Sequence, residues 1–207
     1  MCQIRIRNLK KSYKRHCIFD HVHLDLDERM YHFLIGENGA GKSTFIKCIL
    51  SEVKYSGIIQ KTSQVIAYVP EKIILPDYVT VKDYLYWMGK IQCQKNVQLK
   101  ETIHHYLHQF AIEKYVDVPI CHLSQGTRQK VVLIQALLND ADIYIFDEPL
   151  RGLDEHSKKC FIEEMRKLKQ KGKLIMISTH TLEQYRVRNK HIISFPLGEG
   201  YVSDSIA

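Results

Sequence analysis

The chain has 207 residues, 45% hydrophobic and 26% charged, with 30 Lys and Arg against 23 Asp and Glu for a formal net charge of +7. That balance excludes a disordered or collagen-like chain and is the size of one domain, or one domain with a lobe. The mild positive excess suits nucleic acid, a membrane surface or a phosphate-bearing ligand without choosing among them.

No apolar run approaches the roughly 20 residues of a spanning helix, and the basic start MCQIRIRNLKKSYKR lacks the apolar stretch of a secretory signal. Residence in the cytosol is therefore the expectation. The six cysteines contain no C-x-x-C pair and read as scattered small hydrophobes.

Residues 3–9 alternate apolar and polar, the signature of a half-buried strand, and Val22, Leu24 and Leu26 repeat that period. MYHFLI (30–35) is nearly continuous in apolar residues and predicts a buried strand running into GENGAGKST, followed by the helical pattern FIKCIL. VIAYV (65–69) is a further buried strand that stops at Pro70. From about 79 to 115 the spacing turns helical, with Val81, Tyr84, Leu85 and Met88 on one face. Helix and strand then alternate through SQGTRQKVVLIQALL, IYIF, a charged helix over about 155–171, LIMIS and HIISF. The expected fold class is α/β: a mostly parallel sheet covered by helices, divided into a core of 1–71 and 137–207 and a helical insert of 72–136.

Gly36-Glu37-Asn38-Gly39-Ala40-Gly41-Lys42-Ser43 matches the phosphate-loop pattern G-x-x-x-x-G-K-[ST]. Successive backbone N–H groups can cradle a polyphosphate, glycines let the backbone approach closely, Lys42 supplies a point charge, and the Ser43 hydroxyl suits Mg²⁺. Thr44 continues the loop into a helix whose N-terminus favours anions. The strand Ile143–Phe146 ends in Asp147 and Glu148. One carboxylate there can hold Mg²⁺ and the other can polarise an attacking water.

The ordered set GENGAGKST, LSQGT, IYIFDEP, GLD and ISTH resembles the ATPase domain of ABC transporters, over nearly the whole chain. The resemblance implies a P-loop NTPase core with an antiparallel N-terminal β part and a helical subdomain, and ATP and Mg²⁺ as ligands. By position, Lys42, Glu148 and His180 are the implied catalytic groups. Nucleotide contacts are implied for Glu37, Asn38, Gly39, Ala40, Gly41, Lys42, Ser43 and Thr44. Ser43, Glu71 and Asp147 are the implied metal ligands. Tyr13, 23 residues before Gly36, resembles the aromatic on which adenine stacks. Ser124 and Gly126 resemble signature residues that contact the γ-phosphate held by a second subunit, and Asp154, in the loop that crosses between subunits, is likewise an implied nucleotide contact. The implied partners are a second ATPase subunit, identical or different, and a separate integral membrane permease, with no nucleic acid. The chain is then peripheral at the inner face of the membrane, with export favoured. The alternative is a non-transport ABC ATPase acting on ribosomes or DNA.

Several residues depart from the family pattern. Glu71 stands where glutamine is usual, Gln125 and Thr127 alter the signature, Glu28-Arg29 replace a Pro-Gly turn, and Leu150-Arg151 precede GLD in place of smaller polar residues. His104, His105 and His108 read as solvent-facing or packing histidines rather than a zinc site. The basic residues near the N-terminus read as an exposed sheet face.

Overall fold

The computed structural model describes residues 2–14, 16–63, 65–91, 96–198 and 201. The alternating first segments form a long antiparallel ribbon, β1 (Cys2–Tyr13) with β2 (His16–Asp27). Ile4, Ile6 and Leu9 face inward opposite Val22, Leu24 and Leu26, while Arg7 on the outer face forms a bidentate pair with Asp25 at 2.7 and 2.8 Å. The turn that lacks Pro-Gly is built instead on Asp27. Its carboxylate accepts from the Arg29 amide at 2.9 Å and from the Arg29 guanidinium at 2.8 and 2.6 Å, an Asx turn with an ionic lock.

The chain continues through β3 (Tyr31–Ile35), α1 (Lys42–Ile49), β4 (Ser56–Lys61) and β5 (Ile66–Val69). Next come α2 (Val81–Ile91), α3 (Asn96–Gln109), α4 (Gln125–Leu137), β6 (Ile143–Asp147), α5 (Glu155–Gln170), β7 (Leu174–Thr179) and β8 (Lys190–Ser194). Strand β4 joins the ribbon in the order β2-β1-β4, and the other five make a parallel sheet in the order β5-β6-β7-β3-β8.

The apolar runs of the central strands are explained by burial on both faces. Ile143, Ile145, Leu174, Met176 and Leu34 pack toward the ribbon and α1, with Phe19, Phe45 and Phe195 edge to face. The intervening Tyr144, Phe146, Ile175, Ile177 and Phe33 pack toward α2, α3, α4 and α5. Each such side chain contributes on the order of 1.5–3 kcal/mol of burial. Among the described residues no helix is long and apolar enough to cross a membrane.

The insert is pinned at its neck. Residues before and at the start of α2 pair with residues after α3 through Ile120 N–H to Val79 O at 2.9 Å, Cys121 N–H to Asp77 O at 2.9 Å and Lys82 N–H to Val116 O at 3.0 Å. Within it, Gly89 lets α2 and α3 close together, because a Cβ there would lie 2.3 Å from Leu99. His104, His105 and His108 are exposed on α3, and no metal-holding cluster of His, Cys, Asp and Glu occurs among the described residues.

Beneath the sheet edge, His32 Nε2 lies 2.7 Å from Asp27 O and His32 Nδ1 lies 2.9 Å from His191 Nδ1. A carbonyl can only accept, so Nε2 carries the His32 proton and Nδ1 accepts from His191. Burial of His32 holds its imidazole at about 4, in the neutral form this chain of bonds requires.

Candidate functional site

All five strands of the parallel sheet point the same way, so the segments after β3, β6 and β7 emerge at one edge. After β3 the backbone coils through residues 36–41 and enters α1. Gly41 sits at the helix N-cap with φ of 105°, and a Cβ there would come within 3.0 Å of Ile18 and 3.3 Å of Phe19. Only glycine lets the helix begin directly under the ribbon. No side chain caps α1, which leaves the amides of its first turn facing the loop. Lys42 is almost buried, and its ammonium donates to Gly36 O at 2.6 Å and Glu37 O at 3.0 Å. The Ala40 amide donates to Glu37 O at 3.2 Å. The loop is thus a preformed ring around one fixed positive charge.

Strand β6 delivers Asp147 into the same space. It is 3% exposed, and its carboxylate accepts from Ser43 Oγ at 3.1 Å and from Ser178 Oγ at the end of β7. Burial pushes the Asp147 carboxyl up and the Glu71 charge adds to the rise, while the two serine hydroxyls and Lys42 pull it down. A cation in this space would reverse the burial term. Glu148 follows with φ of 50°, a left-handed conformation rare for a non-glycine residue and one that concentrates at functional sites. Its amide donates to Ser178 O at 3.1 Å, and its carboxylate lies 3.0 Å from His180 Nδ1.

These groups converge. Tyr13, Ile18, Asn38, Gly39, Gly41, Lys42, Ser43, Thr44, Glu71, Asp147 and Glu148 line one cavity of about 370 Å³. Tyr13 stands at its rim, 45% exposed, with the Lys11 ammonium 4.2 Å from its ring centre. His180 reaches the site through Glu148, and Glu37 contributes its carbonyl to Lys42. The oxygen donors Ser43, Asp147 and Glu71 form a hard set of the kind that holds Mg²⁺, which keeps several waters and needs only one or two carboxylates beside substrate phosphates. Sequence reasoning did not single out Ser178 or Ile18. The signal for Ser178 is its polarity at the end of the otherwise apolar LIMIS.

Ser124, Gly126 and Asp154 do not line this cavity. Ser124 caps α4, accepting from the Thr127 amide at 3.2 Å, and Ser124 and Gln125 are exposed. Asp154 caps α5 through the Ser157 amide at 2.8 Å and pairs with Lys130 at 2.7 Å. Those contacts hold its carboxyl well below the usual range, the Lys130 bond foremost. Gly126 meets the turn beyond Glu148, for a Cβ on it would lie 2.5 Å from Gly152 O. Gln129 adds a bond from its side-chain amide to Pro149 O at 3.1 Å. Glu71 pairs with Arg151 at 2.6 Å, a contact across 80 residues that no local pattern announces.

Residues 19–151 match the ABC transporter family model. The ABC transporter ATP-binding protein NatA of Bacillus subtilis is 31% identical over 211 residues, which span 96% of this chain and 85% of NatA. A Mycoplasma pneumoniae protein described as an ABC transporter ATP-binding protein is 31% identical over 195 residues, 87% of this chain, and the match spans 60% of that relative's length. A solved structure of an ATP-binding subunit of an ABC transporter superposes with a TM-score of 0.85 at 27% identity, covering 93% of this chain and 85% of that one.

Proposed function

Because the chain belongs to the ABC transporter family, we propose that it is an ATP-binding and ATP-hydrolysing subunit that powers transport through a separate membrane permease. The observation that supports this reading most directly is the convergence of Lys42, Ser43, Asp147 and Glu148, with Tyr13 at the rim, on one cavity. The chemistry follows from that placement. The open amides of α1 and the Lys42 ammonium receive the β- and γ-phosphates, whose charge displaces the weaker carbonyl contacts to Gly36 and Glu37. Tyr13 offers its ring to adenine, opposite the Lys11 side. Ser43, Asp147 and Glu71 hold Mg²⁺, which when bound neutralises charge on the phosphate oxygens. Glu148 accepts a proton from the attacking water, and His180, bonded to its carboxylate, orients it and reaches toward the γ-phosphate.

The capped start of α4 lies away from the chain's own phosphate loop, so Ser124 and Gly126 serve a second copy or a related subunit. Two chains closing head to tail complete both sites, and loss of the γ-phosphate releases the contacts that hold them closed. Asp154 is held in the crossing loop by its cap and Lys130, placed to meet the nucleotide of the paired site. The division into a core and a helical insert belongs to the same reading, with the insert and the Glu71 region facing the permease.

The test is the Glu148→Gln protein with ATP and Mg²⁺ in solution scattering, followed by purification of the parent chain from membranes in mild detergent. The expected results are a nucleotide-dependent doubling of mass and one co-purifying integral membrane protein. A chain that stays single under saturating ATP in the substituted form would overturn the pairing.

A further inference from the structure

Glu71 lies on the wall between two spaces. It lines the cavity with Ser43 and Asp147, and it also lines a neighbouring groove of about 580 Å³ with Leu123, Gln125, Arg128 and Arg151. In the structure Arg151, which lines the groove and not the cavity, donates from Nη1 to Glu71 Oε1 at 2.6 Å. Arg151 is itself tied to the catalytic turn, its amide donating to Glu148 O at 3.2 Å. Two departures from the family pattern are therefore one feature: an acid where an amide is usual, and a guanidinium placed to neutralise it.

The electrostatics give the pair a role. Glu71, Asp147 and Glu148 would put three negative charges around one small space, and the Glu71 charge already acts on the buried Asp147. The Arg151 bond holds one Glu71 oxygen, Oε1, from the groove side, so bringing the carboxylate fully onto Mg²⁺ competes with that bond.

Resting on the reading that the cavity takes Mg-ATP, we propose that Arg151 is a positioning residue. It latches Glu71 out of the metal site, and binding of Mg-nucleotide must open the latch, freeing the Arg151 guanidinium beside the signature residues Leu123 and Gln125. The two partners are 45% and 60% exposed, so the latch is shallow and reversible rather than structural.

The test uses equilibrium binding of a fluorescent ATP analogue in the non-hydrolysing Glu148→Gln background, titrated with Mg²⁺. Arg151→Ala lowers the Mg²⁺ concentration for half-maximal tightening about two- to fivefold, the range an exposed pair sustains. The same change made together with Glu71→Gln leaves that concentration within about 1.5-fold of Glu71→Gln alone, since no carboxylate is then latched. A fall of equal size in both backgrounds, a rise, or no change on Arg151→Ala overturns the latch. Binding measured with chelator and no Mg²⁺ separates the two levels. If no variant binds the analogue under any condition, the nucleotide reading fails. If all bind but the cycle shows no coupling, only the latch fails. Arg151→Lys, which keeps the charge but not the planar fork, is expected to fall between Arg and Ala.

Discussion

His180 Nδ1 and Glu148 Oε1 are joined at 3.0 Å, across the ends of two adjacent parallel strands. The imidazole is largely exposed and the carboxylate is 12% exposed, so an exposed histidine holds an acid that the fold has already largely buried. Replacing Glu148 with Gln keeps the volume and an acceptor for His180 but removes the proposed base. Turnover is expected to fall about 100-fold or more, within the usual contribution of a positioned base, while ATP binding persists. Single-turnover phosphate release beside an equilibrium titration checks both halves.

Lys42 has no replacement in its ring. In Lys42→Ala the carbonyls of Gly36 and Glu37 lose their shared donor and the β- and γ-phosphates lose their cation. A charge-assisted contact of this kind is worth about 1.5–3 kcal/mol, so ATP affinity should drop about 10- to 150-fold by fluorescence titration. Unchanged affinity would remove the loop assignment.

Tyr13 stands apart from the phosphate chemistry at the cavity rim. Tyr13→Ala should weaken ATP by about 1–3 kcal/mol, the range for a stacked base, and leave the affinity for inorganic tripolyphosphate nearly unchanged. Competition between the two ligands measures the difference directly. Equal losses for both would show that Tyr13 acts on the loop and not on a base.

The His32–His191 pair predicts a pH signature of stability. The folded state holds His32 at about 4 because it is buried, with His191 and Lys169 adding like-charge pressure against the carbonyl of Asp27, whereas an unfolded histidine titrates near 6.5. The stabilisation is fully present above about 6.5, is lost as pH falls toward 4, and does not change further below that. Its size is on the order of 3 kcal/mol. Thermal melts from pH 7.5 to 4 should therefore show a steeper loss for the parent than for His32→Gln, and the two curves should converge at the acidic end.

Gly126→Ala tests the contact between the start of α4 and the turn after β6. The new methyl would sit 2.5 Å from a backbone oxygen, where no flexible side chain can yield. A cost of about 1–3 kcal/mol is expected, read as a shift in the denaturation midpoint. A neutral result would mean that the turn carries slack.

Much of the site was legible because its residues are consecutive. The loop 36–44, the acids after IYIF and the Ser124 cap are each local patterns with a local physical reason, and the structure gathers the first two into one cavity as the parallel sheet requires. The strands of that sheet were equally plain, since burial on both faces leaves an unbroken apolar run. Strand β4 was not, because SGIIQK lies on a sheet edge with Ile58 more than half exposed and no inward alternation to mark it. Contacts that depend on chain crossings also stayed hidden. Ser178 meets Asp147, His32 meets His191, and Glu71 meets Arg151 only because strands and loops distant in sequence end side by side.

The approach of Gly126 to Gly152 has a mechanical consequence. With bare backbone against bare backbone and Gln129 riveting Pro149 to the same helix, the outward rim of the molecule and its inward acid are geared together. A shift at the start of α4 would therefore be felt at the turn that follows Glu148.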